Sequence, residues 1–458
     1  MMRKEPYHPS FSLDVLYKGE QPRAQAIPCV VGEHIKFDDD AMQCFVPGTW
    51  DPLIYDAMML VAGVEICDHS RIRSKVDWAR NLSLRIPVHE PERWEDADVK
   101  SALVRALRFL TGDNWSIDFR KTENPQSGPS QQSMDFAHSA DMVIPYSDGL
   151  DSRAIAGIFE HEYDDTLIKR VRIGSNRIKK PKPGETIQLF ENVPFFAKKV
   201  ISGNGESSGR SRGFKFGVLA GLAAYLIGAP KVIVPESGQG ALGPVLVNVG
   251  QSHYDRRTHP QYTKLMSDLL ETLFGKRITF EHPVIFGTKG QTLAAFKVLY
   301  PDEEIWEKTR SCWMDQRHAS FNGEHRQCGI CAACMLRRTS LHAAGYQESA
   351  GKYLWENLGA EDFAQGANSA FERRNQSQFE YAVAGTLHMD HLAALKDDPD
   401  LEKIILRHAI PVAAAMGLSV EDTKNRIIGM IETHAAEWSA FLHDLPAKSF
   451  VRNWAEAA

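Results

Sequence analysis

Val143-Ile144-Pro145-Tyr146-Ser147-Asp148-Gly149-Leu150-Asp151-Ser152 is the stretch on which the reading of this chain turns. Its first residues have the character of a short buried strand, and a tight polar turn with Gly149 at its centre follows. A helix is predicted next, with Asp151 and Ser152 in its first turn. Strand, turn and helix in that order aim several backbone N–H groups and the positive end of a helix at one point, which is where a phosphate binds. The Gly-x-x-x-x-Gly-Lys-Ser/Thr spacing of a Walker A loop is absent, and no lysine follows the glycine. Alone, the residues also fit an ordinary strand-turn-helix corner, so their surroundings decide.

From Asp141 onward, strand-like and helix-like segments alternate, the pattern of a parallel sheet with helices on both faces. Residues 167–173, 187–190 and 231–234 read as strands. Residues 214–227 and 260–274 read as helices, stopped by Gly228 and Gly275. Ligands of such sheets sit at the carboxyl ends of strands, so the residues after Tyr146, after Ile173 and from Pro235 to Gly238 are expected to converge. Gly209-Arg210-Ser211-Arg212-Gly213 opens one helix and could bring Arg212 to the same ends. Residues 282–289 leave a strand and open another, so Lys289 could offer a single positive charge; plain solvation is its rival reading. Residues 169–182 hold Lys169, Arg170, Arg172, Arg177, Lys179, Lys180 and Lys182 with no acid among them. A solvated loop face is the simpler account of that run, a lid over a triphosphate or a contact for an acidic partner the sharper one.

Upstream, residues 1–122 read as an α+β domain without a chemical motif. Residues 12–17, 82–88 and 115–119 alternate as half-buried strands do. Val99, Leu103, Leu107 and Leu110 share one helix face that Gly112 can end, and residues 51–67 suit a second, apolar helix. Residues 123–139 have the composition of a linker. Beyond about residue 350 the chain reads as helical, with Ser419 as an N-cap before a long amphipathic helix. Residues 349–458 are thus a helical region that could dock on the core or present a groove to a partner. His388 and His391 resemble half a metal site, but the sequence offers no further ligand, and surface histidines on a helix are expected.

The chain has 458 residues, enough for two or three domains, with 43% hydrophobic and 24% charged residues, the composition of a globular protein. No apolar run suits a membrane span or a secretion signal, which makes the cytoplasm the expected compartment. A net charge of −6 speaks against nucleic acid as partner, as does the lack of aromatics interleaved with the basic run. Of seven cysteines, Cys29, Cys44 and Cys67 are scattered, while Cys312, Cys328, Cys331 and Cys334 are bunched. Cys-x-x-Cys-x-x-Cys presents sulfurs to one ion, and a single loop can fold Cys312 back as the fourth ligand. A closed four-thiolate shell makes zinc structural, not catalytic.

Taken together, the turn at 147–152, Pro283, Thr288-Lys289, Thr309-Arg310-Ser311-Cys312-Trp313 and the cysteine run ending at Arg337 resemble 7-cyano-7-deazaguanine synthase. That family belongs to the PP-loop ATP pyrophosphatases, whose Ser-Gly-Gly-x-Asp-Ser loop the turn is similar to. Ser211-Arg212-Gly213-Phe214 is similar to the family's Arg-Asn helix start. The likeness covers residues 140–348 and implies a Rossmann-like PP-loop domain with a zinc-binding four-cysteine insert. It implies ATP and Mg²⁺ as cofactors, and adenylation of the carboxylate of 7-carboxy-7-deazaguanine. Ser147, Asp148, Gly149, Leu150, Asp151 and Ser152 would hold the nucleotide. Asp151, Ser152, Lys289 and Arg212 would act in catalysis, Lys289 and Arg212 by offsetting charge on the pyrophosphate. Cys312, Cys328, Cys331 and Cys334 would bind zinc.

The chain departs from the family in three ways. Asp148 replaces a glycine, Glu236-Ser237-Gly238-Gln239-Gly240 replaces a segment used in nitrile formation, and the compact synthase lacks the flanking regions. These departures resemble a branch encoded in bacterial anti-phage operons of the Qat and CBASS types. For that branch the resemblance implies transfer of the activated acid to the N-terminus of a partner protein. Nitrile synthesis from ammonia in queuosine metabolism is the alternative, and a non-catalytic nucleotide-binding scaffold is an answer of another class.

Overall fold

The computed structural model describes residues 11–43, 50–73, 79–126, 140–147, 149–174, 190, 193–201, 205–206, 209–249, 254–314, 319–371 and 374–456. Asp148, Cys44, the basic residues Arg177, Lys179, Lys180 and Lys182, and most of the strand expected at 187–190 and of the linker at 123–139 lie outside these. Two compact units emerge, each drawn from three separated segments: Met1–Tyr146, Tyr163–Val234 and Arg256–Glu281 form one, Ser147–Glu162, Pro235–Asp255 and His282–Ala458 the other.

Among the described residues the first unit holds eleven short strands: β1 (Phe11–Leu16), β2 (Ile27–Val30), β3 (Ile35–Phe37), β4 (Asn81–Val88), β5 (Asn114–Lys121), β6 (Met142–Pro145), β7 (Ile168–Val171), β8 (Ile173–Gly174), β9 (Val193–Ala197), β10 (Lys231–Ile233) and β11 (Thr279–Glu281). One four-stranded sheet runs β2-β1-β4-β5 and another β11-β10-β6-β7, and every pairing in both is parallel. A smaller sheet pairs β3 with β9 antiparallel and β9 with β8 parallel.

Helix starts and stops follow local chemistry. The Asp51 carboxylate accepts from the Leu53 N–H to begin Pro52–Ser70, and Asp96 caps Ala97–Thr111 likewise. Gly112, Gly228 and Gly275 end their helices in the left-handed conformation, as expected from the sequence. Pro52–Ser70 packs on β1 and β4 and on Arg212–Ile227; Ala97–Thr111 packs on β5 and on Pro260–Phe274; Arg212–Ile227 and Pro260–Phe274 in turn lie on β6, β10 and β11. Two helix layers therefore fill the space between two parallel sheets. One continuous core results, including Leu13, Leu84, Val64, Leu103, Val143, Leu222, Val232 and Leu270.

Strand β5 alternates between buried and half-buried as its sequence predicts, but β4 is buried at six of its eight positions. The reason is position: β4 lies between β1 and β5 and under a helix, so little of it faces water. Charged side chains on this sheet pair with one another. Asp14, Arg85 and Asp118 stand opposite one another, and Arg23 bonds Asp14 and Asp118, both at 2.9 Å.

In the second parallel sheet, β6 and β10 are the neighbours from which successive strands depart in opposite directions. Such a reversal is where open parallel sheets bind ligands. The chain passes into the second unit directly after β6 and shortly after β10 and β11, at Ser147, Pro235 and His282.

The second unit is mostly helical. Lys289–Leu299 packs on Leu150–Glu162 and Ala332–Ala343, and Val420–His443 packs on Ala332–Ala343, Gln376–Ala394 and Leu401–Met416. The helical character read for the tail holds from Gln376 onward, whereas the described residues between 349 and 375 form turns and isolated bridges such as Trp355 with Ala367; within this unit the tail is docked. Trp438 and Phe441 of Val420–His443 share a core with Cys328, Cys331, Cys334 and Trp355. His388 and His391 lie on Gln376–Ala394 but are half-buried, because Ala332–Ala343, Val420–His443 and Phe450–Glu456 all pack on that helix. Among the described residues, no single helix is long and apolar enough to cross a membrane.

Candidate active site and metal centre

The turn after β6 closes on itself through its hydroxyls. The Ser147 N–H donates to Ser152 Oγ at 3.2 Å, the Gly149 N–H donates to Ser147 Oγ at 3.0 Å, and the two hydroxyl oxygens lie 3.1 Å apart. Leu150 begins the helix and is fully buried, anchoring its first turn in a core with Ala154, Leu293 and Phe296. The first N–H groups of any helix lack acceptors within it, so those of Leu150, Asp151 and Ser152 point out of this turn.

The same core aligns Leu150–Glu162 with Lys289–Leu299. Phe296 packs where a side chain at Gly157 would sit, 2.5 Å from its ring, and the Tyr300 hydroxyl donates to the Gly157 carbonyl at 3.0 Å. Lys289 is thereby brought to Asp151, with Nζ 2.7 Å from Oδ2, and Glu236 stands 4.0 Å from Nζ. The lysine side chain is 7% exposed, against 17% for Asp151 and 29% for Glu236, so its charge is the enclosed one. Burial alone would lower the Lys289 pKa, but Asp151 and then Glu236 outweigh it and leave the ammonium more basic than usual.

The helix start at Lys289 is built with care. Thr288 and Gln291 form a reciprocal capping box, and the Lys289 N–H donates to Gln239 Oε1 at 2.8 Å. Thr288-x-x-Gln291 is a signature readable in sequence. Glu236 and Gln239, by contrast, stand out in sequence only as part of a departure from a family, and Glu437, which accepts from the Thr288 hydroxyl at 2.5 Å, gives no local signal at all.

The structure thus joins Ser147, Gly149 and Ser152 in one network, and Asp151 with Lys289 beside it. Arg212 belongs to the first unit, where it starts Arg212–Ile227 with its guanidinium over the Phe216 ring. Of the basic run, Lys169 and Arg170 lie on β7, and Arg170 sits over the Tyr146 ring at 5.0 Å. The arrangement can accept an anion. Its first-turn N–H groups, two hydroxyls able to exchange partners and an enclosed ammonium suit phosphate oxygens.

The four bunched cysteines meet. All four sulfurs lie within 4.8 Å of one another, and those of Cys328 and Cys334 are 3.7 Å apart. Tetrahedral zinc with bonds of about 2.3 Å requires sulfur separations of about 3.8 Å. Backbone N–H groups of Met314 and Cys328 donate to Cys312 Sγ, and that of Cys331 to Cys328 Sγ, as suits thiolates. Gly329 turns the Cys328–Cys331 loop with φ of 84°, and a side chain there would meet the Trp355 carbonyl at 2.6 Å. Hydrogen bonds from the neighbouring sulfurs, Cys328 first, hold Cys312 far below the usual thiol range, while burial pushes Cys328 and Cys334 up. Four sulfurs this close fit one zinc ion.

Arg337, three residues beyond the cluster, is fully buried and donates to Glu348, Thr309 and the Trp306 carbonyl. It is a structural strut for the segment that supplies Cys312.

A sequence model of the family described as queuosine biosynthesis protein QueC matches residues 245–345. The matched span includes Thr288, Lys289, all four cysteines and Arg337, and leaves out the turn at 147–152. No curated protein matches the chain.

Proposed function

We propose that this protein adenylates the carboxylate of 7-carboxy-7-deazaguanine with ATP and Mg²⁺, and passes the acyl group to an amine, the N-terminus of a partner protein. The observation that carries the reading is the Lys289–Asp151 pair, an enclosed cation held at the first turn of the helix that follows the phosphate-loop-like turn. The queuosine-related family match over residues 245–345 supports an ATP-dependent enzyme of deazapurine chemistry.

In the proposed first step a carboxylate oxygen attacks the α phosphorus, and the bond to the β-phosphate oxygen breaks. Pyrophosphate leaves with the electron pair. Lys289 offsets the charge that builds on it, and the first-turn N–H groups and the Ser147 and Ser152 hydroxyls orient the phosphates. In the second step the amine nitrogen attacks the acyl carbon, AMP leaves, and the amine loses a proton. No covalent enzyme nucleophile is required. Zinc, held by Cys312, Cys328, Cys331 and Cys334, would brace the fold and take no part in the reaction.

A protein acceptor fits the long chain on either side of residues 140–348 better than ammonia does, and the anti-phage branch of the family rests on that argument. Purified protein incubated with ATP, Mg²⁺ and the acid is expected to release AMP and pyrophosphate only when the acid is present. Mass spectrometry then separates the outcomes: added mass on a co-encoded protein supports the proposal, and a free nitrile with ammonia supports the alternative. Absence of AMP with any acid leaves a nucleotide-binding scaffold.

A further inference from the structure

Gln239 is buried, and both ends of its amide are committed. Its Oε1 accepts from the Lys289 N–H at 2.8 Å, and its Nε2 meets His434 Nδ1 at 2.8 Å and Glu437 Oε2 at 3.3 Å. The His434 tautomer follows from its other partner. Nε2 lies 2.8 Å from the Met389 carbonyl, which can only accept, so Nε2 carries the proton and Nδ1 is free to accept from Gln239. Glu437 also accepts from the Thr288 hydroxyl. A Cβ at Gly290 would lie 2.4 Å from Glu437 Oε1 and 3.0 Å from the Ala343 Cβ, so the Glu437 carboxylate fills the space against Gly290.

The capping box of Thr288 and Gln291 already suffices to start Lys289–Leu299. The additional bonds therefore do something a cap alone does not: they tie the residue that carries the ammonium to a helix about 150 residues further along the chain.

We propose that Val420–His443 is a working part of the site: His434 and Glu437 are positioning residues that, through Gln239 and Thr288, hold the start of Lys289–Leu299 and so fix the Lys289 ammonium against Asp151. The proposal rests on the reading of Lys289 as the cation that meets the phosphates, but the first arm of its test does not.

That arm is lysine footprinting of the full-length chain with an acetylating reagent, read by mass spectrometry. In Glu437→Ala and Gln239→Met, Lys289 is expected to react about tenfold faster than in the unaltered protein, while Lys297 on the same helix keeps its rate. Glu437→Gln keeps an oxygen for the Thr288 hydroxyl and is expected to restore protection. Unchanged Lys289 reactivity in Gln239→Met, the variant with the gentler change of shape, overturns the proposal even if Glu437→Ala unfolds. The second arm is a double-mutant cycle on acid-dependent AMP release. The cost of Glu437→Ala is expected to vanish in a Lys289→Ala background, and an undiminished cost overturns the proposal. If the unaltered protein releases no AMP, the proposed reaction falls, and the footprint still decides the positioning claim.

Discussion

Two buried ion clusters, one in each unit, solve the same electrostatic problem in opposite ways. In the first unit Arg73 and Arg80 clamp Asp68 and Asp113, and none of the four side chains is more than 8% exposed. Arg80 alone donates to both carboxylates and to the carbonyls of Asp68 and Arg71, and Asp68 also takes the Ser211 N–H. Burial by itself would raise the Asp68 pKa; Arg80 and Arg73 overcome it and hold the carboxylate below its usual range. In the second unit one lysine faces Asp151 and Glu236, and both acids keep some contact with solvent. A guanidinium uses a rigid fork to fix several chain segments at once, whereas an ammonium is a point charge that can change partners. The closed cluster is architecture. In the proposed reaction the open one is where an incoming anion takes over from a carboxylate.

The sharpest way to break this contrast is Arg80→Ala. It strands Asp68 and Asp113 without their main partner, and a loss of about 3–5 kcal/mol is expected in chemical denaturation. A loss under about 1 kcal/mol would show that the cluster is not structural. Lys289→Ala should do the reverse. Its carboxylates can hydrate, so the midpoint of unfolding should move little, while acid-dependent AMP release should fall by roughly 10²–10³, the range for removing one preorganised charge-stabilising donor. Full activity in that variant would remove Lys289 from the chemistry.

The open cluster was partly legible in the sequence and the closed one was not. Asp151 and Lys289 each sit at a helix start recognisable from local pattern, so both could be named before anything was known of their distance. Asp68, Arg73, Arg80 and Asp113 are spread over 46 positions, and each taken singly looks like an ordinary surface charge. The four clustered cysteines were legible because their spacing alone constrains them. Glu437 and His434 were not, because their partners lie on distant segments and only packing makes them neighbours. The strands of the first sheet were legible as strands, but the near-complete burial of β4 depends on which strands flank it, and no local pattern carries that.

A third expectation concerns the helix behind the open cluster. Burial lowers the His434 pKa from its ordinary value near 6.5 to about 4, despite the bond to Met389. The unfolded chain therefore binds a proton between those values that the folded chain refuses, so stability is full above pH 6.5 and falls as pH drops towards 4. The loss is at most about 3 kcal/mol. Glu437 acts in the other direction: burial raises its pKa, and its contribution favours the fold at lower pH. Unfolding followed from pH 7 to pH 4 should show a net slope that His434→Gln flattens. An unchanged slope would mean that His434 titrates freely and does not hold Gln239.

Exchanging the two cations gives the smallest effects and the finest discrimination. Arg80→Lys keeps a positive charge but loses the fork, so several of its five acceptors go unserved; about 2 kcal/mol of stability should be lost. Lys289→Arg also keeps its charge, and its partners need no fork. Stability should change by less than about 1 kcal/mol, with AMP release down by roughly tenfold because the charge centre shifts. The two substitutions are equally conservative on paper, so any difference between them reports on geometry, not on charge. If Arg80→Lys proved harmless and Lys289→Arg unfolded the protein, the roles assigned to the two clusters would have to be interchanged.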